Sequence, residues 1–277
     1  MSARRCAVLV GCLLAMRALN PAPAAAQALP DTIAAKKKIV IALFASFPPM
    51  AYKRPEDNKL AGIDVDLADY FGRKLGFDIE WQEVSYESAT NALITGRVDM
   101  ALSLLDLPEA ATKLDFVDYL SSGMQVYALA SHAPIPTLSD LCGLTVGANR
   151  RNGFDATMRD WSDKHCVAAG RPSLKVEATD GTPAARLELH RIGNGFAALH
   201  DGVDTLLAQL EPGTYVKVGD AFSDGLMIAV AFPKTSTQLR DAVKGALKSA
   251  ATDGSYAAIL KKFDVEGNSA SERITQE

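Results

Sequence analysis

The sequence predicts an α/β protein built from two successive units, each a parallel sheet covered by helices on both faces. Three observations lead to this prediction. Short β-branched runs alternate with amphipathic helical segments in residues 37–104, and the alternation restarts at residue 144. A strand-like run at residues 225–232 then stands without a partner nearby in the sequence. Alternation of this kind is typical of parallel sheets, because a parallel connection must cross over the sheet.

The first unit is predicted to contain three strands and two helices. Residues 62–77 carry apolar side chains at helical spacing, among them Ile63, Leu67 and Phe71. Asp64 is expected to cap the start of this helix, and Gly76 is expected to end it. The remaining elements of the unit are strands at 37–44, 78–84 and 98–104 and a helix at 86–96.

The second unit repeats the pattern, and two closing helices follow it. The helices at 237–254 and 255–263 are amphipathic, whereas residues after Val265 are polar and are expected to be a disordered tail. The elements of the second unit are strands at 144–149 and 173–178, helices at 153–165 and 183–193, and a short apolar run at 196–199.

The N-terminal segment has the pattern of a secretory signal peptide. Arg4 and Arg5 form a basic region, an apolar stretch follows, and small residues stand at Ala24, Ala26 and Ala28. We therefore assign residues 1–26 as a cleaved signal peptide, with Ala28 as an alternative cleavage position. The arginine pair is also compatible with a twin-arginine signal, although an ordinary basic region is the better interpretation.

The two cysteines that remain after signal removal are Cys142 and Cys166. Because an exported chain folds in an oxidising compartment, a disulfide between them is expected. The alternative is two separately buried thiols. The sequence contains no CxxC pair and no cysteine–histidine spacing typical of a metal site.

Composition and motifs exclude several classes of function. The net charge of −4 disfavours a nucleic-acid partner, and no apolar run reaches the roughly 20 residues of a membrane span. The sequence lacks a GxSxG elbow, and its four histidines are scattered. The GNGFAA run follows a helix rather than a strand, which argues against a dinucleotide site. We therefore expect no cofactor, no metal and no catalytic residues.

Several segments, in this order, resemble family 3 of the bacterial extracellular solute-binding proteins, the periplasmic receptors of polar amino acid ABC importers. The resemblance runs from about Lys38 to Val265. The segments are FPPMAYKRPEDNKLAGIDVDLADYFGRKLGF, GRVDMAL, LPEAATKLDF, LSDLCGLTVGAN, SDKHCVAAGRPSLKV, AALHD, GDAFSDGLMIAVAFPK and ATDGSYAAILKKF. Part of the family carries a cysteine pair at the corresponding positions, which supports the disulfide.

The resemblance implies the type II periplasmic-binding-protein fold, in which two α/β lobes joined by two crossing strands close on a ligand. Residues 36–127 and 227–265 would form lobe 1, and residues 128–226 would form lobe 2. Residues 266–277 would be the polar tail. The isolated strand at 225–232 then becomes the return crossing into lobe 1. The ligand would lie at the carboxyl ends of the strands.

The resemblance also implies a set of ligand-binding residues in lobe 1. Phe47 and Tyr86 correspond to two aromatic residues that sandwich the ligand, and Ser103 corresponds to a residue on the floor of the site. Asp106 takes the position of a hydroxyl residue, and Ala110 takes the position of the arginine that anchors an amino acid carboxylate. Asp106 could alternatively cap the helix that starts at Pro108.

In lobe 2 the resemblance implies three further contacts. Arg151 and Asn152 stand where the family usually has a Gly-Thr pair, and Asp201 corresponds to the aspartate that binds the ligand ammonium. With two carboxylates, two aromatic rings and no lobe 1 arginine, the site favours a cationic amine, guanidinium or betaine-like ligand. Arg151 could instead restore a carboxylate anchor from the opposite lobe, in which case an ordinary amino acid could bind.

The sequence therefore predicts a monomeric periplasmic receptor whose partners are a small polar ligand and the membrane permease of an ABC importer. Two alternatives stay open. One is a dehydratase-like periplasmic enzyme on the same scaffold, and the other is an accessory or sensor protein with a degraded pocket.

Overall fold

The computed structural model describes residues 29–131, 134–150, 153–179, 195–199, 213 and 215–276. The strands are β1 (Lys38–Leu43), β2 (Ser46–Phe47), β3 (Ala51–Lys53), β4 (Leu60–Ala61), β5 (Asp78–Glu83), β6 (Met100–Leu105), β7 (Leu114–Leu129), β8 (Thr145–Asn149), β9 (Lys175–Thr179), β10 (Gly195–Leu199) and β11 (Tyr215–Pro233). The helices are α1 (Asp31–Lys36), α2 (Ile63–Leu75), α3 (Tyr86–Ile94), α4 (Pro108–Ala111), α5 (Phe154–His165), α6 (Thr237–Asp253), α7 (Ser255–Lys262) and α8 (Ser271–Gln276). The predicted signal peptide and the predicted helix at 183–193 lie outside the described residues.

One eight-stranded sheet, in the order β5-β1-β6-β11-β7-β10-β8-β9, runs through the molecule. Strand β1 lies parallel to β5 and β6, and β8 lies parallel to β9 and β10. Between these two parallel groups, β7 and β11 pair antiparallel with each other along most of their length. The arrangement confirms the predicted fold of two α/β lobes connected by two crossing strands. We refer to the β1, β5, β6 side as lobe 1 and to the β8, β9, β10 side as lobe 2.

The pairing of the crossing strands is irregular where they pass between the lobes. Its register shifts between Val218 and Phe222 and again between Phe222 and Leu226. The sequence predicted only residues 225–232 of β11 and did not predict β7 at all. Two serines and a glycine at 121–123 interrupt the apolar pattern of β7, and its partner strand lies about a hundred residues away in the sequence.

Helix α2 confirms the predicted amphipathic segment in lobe 1. Ile63, Leu67 and Phe71 are fully buried, and Gly76 ends the helix in the left-handed conformation. The start of the helix differs from the prediction. Gly62 occupies the N-cap position, where a Cβ atom would lie 2.2 Å from the Met50 carbonyl oxygen, so that only glycine fits. Asp64 is not the cap, since it lies inside the first turn and is fully buried.

The C-terminal segment is ordered, which contradicts the expectation that the polar tail is disordered. Residues 266–276 form a short 3₁₀ turn and α8, and they bury Ala270 and Ile274 against the core. Asn268 Nδ2 donates a hydrogen bond to the Ser121 carbonyl oxygen at 2.9 Å. Arg273 forms an ion pair with Asp118 of β7 at 2.8 Å. The segment is therefore attached to the lobe 1 part of a crossing strand.

A disulfide between Cys142 and Cys166 confirms the predicted pairing, with a Cα–Cα distance of 5.6 Å. It joins the end of a 3₁₀ turn at Leu138–Leu141 to the end of α5 in lobe 2. Within the part of the chain that the structure describes, no helix is both long and apolar enough to cross a membrane.

Candidate functional site

The candidate ligand site of lobe 1 lies at the carboxyl ends of β1 and β6. The segment from Phe44 to Phe47 follows β1, Tyr86 opens α3 directly after β5, and Asp106 follows β6. Because β1, β5 and β6 are parallel neighbours, these segments meet at one edge of the sheet. Open α/β sheets bind ligands at this edge.

Phe47 and Tyr86 both pack, half-buried, against a hydrophobic cluster that includes Phe44 and Leu104. The Tyr86 ring lies 5.3 Å from the Phe44 ring at an interplanar angle of 41°. Its hydroxyl accepts a hydrogen bond from the backbone N–H of Leu105 at 3.3 Å. The structure therefore brings the two predicted aromatic residues to one cluster. Phe44 packs against the Tyr86 ring. It was not singled out from the sequence because it directly follows a buried strand and fits the pattern as the last core residue of that strand.

Ser103 lies on β6 with only 3% of its surface exposed, and its hydroxyl is directed at Asp64 rather than left open to the site. The Ser103 Oγ to Asp64 Oδ2 distance is 2.7 Å. The Ser103 backbone has a φ of 60°, in the left-handed region that residues other than glycine adopt rarely. The role of Ser103 in lining the ligand site stays a prediction.

Asp64 and Tyr119 complete this buried polar cluster. The Tyr119 hydroxyl lies 2.5 Å from Asp64 Oδ1 and accepts the Ser103 backbone N–H at 3.2 Å. Burial raises the pKa of Asp64 to about 7, although the hydrogen bonds from Tyr119 and Ser103 act in the opposite direction. Burial, and then the nearby Asp64 carboxyl, raise the pKa of Tyr119 well above its ordinary value.

Sequence reasoning missed the role of Asp64, although a signal was present. Asp64 precedes Leu67 by three residues and Phe71 by seven, so that it lies on the apolar face of α2. An acidic residue on a buried helix face requires hydrogen-bond partners, since an unpaired buried charge is costly. The sequence interpretation of Asp64 as a helix cap would instead have placed this residue before the first turn of α2.

The turn after β6 carries the unusual Asp106 and Ala110. Asp106 is half-buried, and its backbone N–H donates to the Met227 carbonyl oxygen of β11 at 3.1 Å. Leu107, not Asp106, is the N-cap residue of α4, and no side chain caps this helix. The alternative role of Asp106 as a helix cap is therefore not supported. Ala110 lies half-buried in α4, so that this turn presents a carboxylate and no arginine.

On the lobe 2 side, the described residues approach this turn at Gly153. A Cβ atom on Gly153, the N-cap residue of α5, would lie 3.8 Å from Leu107 Cδ1. The two lobes therefore meet beside the turn. Arg151, Asn152 and Asp201, the three site residues predicted for lobe 2, lie outside the described residues, and their contribution to the site stays a prediction. Among the described residues, no cluster of three potential metal ligands occurs.

Comparison with known proteins identifies the class. The chain belongs to the bacterial extracellular solute-binding proteins, family 3, whose sequence model matches residues 39–266. It is similar to the arginine-binding extracellular protein ArtP of Bacillus subtilis, with 26% identity over 82% of this chain and 86% of ArtP. It is also similar to the L-cystine-binding protein TcyJ of Escherichia coli, with 25% identity over 86% of each chain.

Solved structures confirm the type II fold. An ancestral arginine-binding protein bound to arginine superposes with a TM-score of 0.68 at 25% identity, covering 82% of this chain and 98% of that one. The structure of Tv2483 bound to L-arginine gives a TM-score of 0.74 at 17% identity, covering 87% and 96% respectively. The protein is therefore a solute-binding protein, and its relatives are binding proteins rather than enzymes.

Proposed function

We propose that this protein is the periplasmic receptor of an ABC importer and that it closes its two lobes on a small cationic ligand. Family membership and the two crossing strands support the receptor role, because the irregular pairing between Val218 and Leu226 is a suitable place for hinge motion. In this proposal residues 1–26 are the signal peptide, the receptor is a monomer without cofactor or catalysis, and the membrane permease is its partner.

The observation that carries the ligand class is the turn that has Asp106 and lacks an arginine at Ala110. Closure of the lobes removes water from the site, so each ligand charge needs a partner there. A ligand carboxylate about 4 Å from the Asp106 carboxylate would be repelled by roughly 4 kcal/mol at an effective dielectric of 20. A cation at the same place would be attracted, and the ring of Tyr86 would add a favourable cation–π contact.

Two of the similar proteins are named as arginine-binding proteins, which supports a cationic group on the ligand. We propose that a guanidinium or amine contacts Asp106, Phe47 and Tyr86 in lobe 1. In lobe 2, Asp201 would bind an ammonium group, while Arg151 and Asn152 would supply polar contacts. If the ligand also carries a carboxylate, we propose that Arg151 is the cation that binds it.

A paired calorimetric titration tests the ligand class. L-Arginine and agmatine differ only by the α-carboxylate, and we expect agmatine to bind at least as tightly as L-arginine. Asp106→Ser should weaken agmatine by more than tenfold, since a charge-assisted contact contributes about 1.5–3 kcal/mol. Glu109→Gln, on the exposed face of the same turn, is the matched control and should have no effect. If L-arginine binds far more tightly than agmatine and Arg151→Ala removes that preference, the proposal of a carboxylate-independent ligand is wrong.

Asp201→Ala tests the lobe 2 part of the site. A buried ammonium that loses its carboxylate partner costs about 3–5 kcal/mol, so affinity for either ligand should fall by more than a hundredfold. Wild-type affinity in this variant would show that Asp201 is not a ligand contact.

A further inference from the structure

Ser103 is held in an uncommon backbone conformation directly before the ligand turn. Its φ of 60° is left-handed, although it is neither glycine nor asparagine and lies in a buried strand. Residues in sparsely populated backbone regions persist only where surrounding contacts hold them, and they cluster at functional sites. The contacts that hold Ser103 therefore indicate what controls the turn.

Two buried groups hold Ser103 through three contacts. Its hydroxyl contacts Asp64, its backbone N–H donates to the Tyr119 hydroxyl, and the two hydroxyl oxygens of Ser103 and Tyr119 lie 3.3 Å apart. Tyr119 is fixed in turn, because its carbonyl oxygen accepts the Tyr256 hydroxyl of α7 at 2.6 Å. We call the side chains of Asp64, Ser103 and Tyr119 the buried triad.

Asp64 is fully buried, and its side-chain partners among the described residues are two hydroxyl groups and no cation, so burial favours the protonated carboxyl. A neutral Asp64 can donate to Tyr119, Tyr119 to Ser103, and Ser103 back to Asp64, which closes a ring of three hydrogen bonds. An ionised Asp64 can only accept. Both hydroxyl protons then point at the carboxylate, the two hydroxyl groups no longer share a proton, and a buried charge remains without a cation in the described part of the chain.

The conformation of Ser103 is transmitted to the proposed site over two residues. The N–H of Leu105 bonds to the Tyr86 hydroxyl, and the N–H of Asp106 bonds to the Met227 carbonyl oxygen. Leu104 and Leu105 pair with Ala229 and Ile228 of β11, and the register of this pairing shifts beside Ser103. A rotation of the Ser103 backbone would therefore alter the direction in which the chain enters the turn. The turn that carries Asp106 would then move relative to Tyr86.

We propose that Asp64 is a positioning residue of the ligand site, which acts through Ser103 to hold residues 103–106 in the conformation that binds ligand. The protonated carboxyl maintains this conformation, whereas the ionised carboxyl is a buried charge without a cationic partner among the described residues and favours opening of the buried triad. The inference deepens the proposed function and rests on it for the effect on ligand affinity.

The charged surroundings of Asp64 leave the ionised form without a cationic partner among the described residues. Tyr119 faces it from β7 and Ser103 from β6, while the Met50 carbonyl oxygen accepts its backbone N–H. On its own helix, Asp66 points outward and pairs with Lys262 of α7 at 2.6 Å. The pKa of about 7 that burial gives Asp64 places the change between pH 6 and pH 8.

Hydrogen–deuterium exchange of the ligand-free protein tests the positioning role independently of any ligand. Wild type and Asp64→Asn are compared at the same pH, so that intrinsic exchange rates cancel. The asparagine keeps one donor and one acceptor and should protect residues 103–106 at both pH 6 and pH 8. Wild type should match it at pH 6 and exchange faster at pH 8. Asp66→Asn is the control and should behave as wild type. Equal exchange of wild type and Asp64→Asn at pH 8 would overturn the proposal.

Affinity for L-arginine and agmatine supplies the second measurement. If the ionised form does not bind, wild-type affinity should fall about tenfold between pH 6 and pH 8, and Asp64→Asn should remove that fall. A pH dependence that persists unchanged in Asp64→Asn would contradict the proposal. If neither probe binds at any pH, the proposed ligand class fails, whereas the exchange experiment still decides the role of Asp64.

A glycine substitution separates the backbone of Ser103 from its hydroxyl. Glycine adopts a φ of 60° without assistance, so Ser103→Gly should recover exchange protection and affinity that Asp64→Ala loses. Folding of each variant is checked by far-ultraviolet circular dichroism. No recovery in the folded double variant would show that Asp64 does not act through the Ser103 backbone. Asp64→Asn keeps the proposal testable if Asp64→Ala fails to fold.

Discussion

The two lobes share a topology but, in their described parts, are stabilised differently. Lobe 1 packs α2, α6, α7 and the C-terminal segment around its strands, and within that core it holds a fully buried acid and a left-handed serine. Lobe 2 has strands of five residues, one long described helix, and a disulfide between its 3₁₀ turn and that helix. In lobe 1, hydrogen bonds among buried side chains hold the strained Ser103, whereas in the described part of lobe 2 a covalent link joins two elements.

The largest expected effect concerns the buried acid of lobe 1. The pKa of Asp64 is about 7 in the folded protein and about 3.9 in an unfolded chain. Its contribution to stability is therefore fully present below about pH 4 and is lost as the pH rises through 7. The loss approaches roughly 4 kcal/mol, an upper value that relaxation of the cluster would lower. Urea denaturation at pH 4.5, 6 and 8 should show this decline in wild type and a flatter profile in Asp64→Asn.

Asp115 is the matched control for the sign of this effect. Hydrogen bonds from Lys234, together with those from Arg240, lower the pKa of Asp115, so its contribution is lost only on acidification below about pH 4. Asp115→Asn should therefore lower stability by a similar amount at all three pH values. If Asp64→Asn retains the wild-type slope between pH 4.5 and pH 8, the carboxyl is not the group that titrates.

The second prediction concerns the disulfide of lobe 2. Cys142 and Cys166 are 24 residues apart, and a bond that closes a loop of this size contributes about 3 kcal/mol in the chain-entropy model. Cys142→Ala combined with Cys166→Ala should lower the free energy of unfolding by about that amount. Hydrogen exchange should increase in α5 and at residues 138–141, while β1 and β6 of lobe 1 retain their protection.

Reduction of the disulfide in the unmodified protein is the control for packing defects that the alanine substitutions cause. Equal loss of protection in both lobes would show that they do not differ as described.

The elements that the sequence predicted are those specified by local patterns. The apolar spacing of α2 and the cysteine pair are legible without any knowledge of distant contacts. Strand β7 was missed because its serine-rich middle is stabilised by β11 rather than by its own composition. The C-terminal segment was missed because Ala270 and Ile274 are its only buried apolar residues within 266–276, which is too few to show a period.

The site was predicted by resemblance more than by pattern. Loop residues beside a sheet edge have no period of their own, so Phe47, Tyr86 and Asp106 were assigned to this edge by resemblance. The structure places all three at that edge. The buried triad could not be derived in the same way. Its three members come from α2, β6 and β7, and only the fold brings them within hydrogen-bond distance.

The smallest expected effect tests whether the C-terminal segment belongs to the lobe 1 core. Arg273 is half-exposed, but its partner Asp118 has only 6% of its side chain exposed. An exposed pair contributes little, whereas removal of a cation beside a buried carboxylate removes part of the compensation of that charge. Arg273→Ala should therefore cost about 1–2 kcal/mol, between these two limits. Lys38→Ala breaks the Lys38–Glu80 pair, exposed on both sides, and should have a smaller effect on stability than Arg273→Ala. Asp118→Asn in the Arg273→Ala background should recover part of the loss, because the buried charge is then removed. Urea denaturation measures all three variants. If Arg273→Ala is as mild as Lys38→Ala, the C-terminal segment is attached to β7 by Ala270, Ile274 and the Asn268 hydrogen bond rather than by charge.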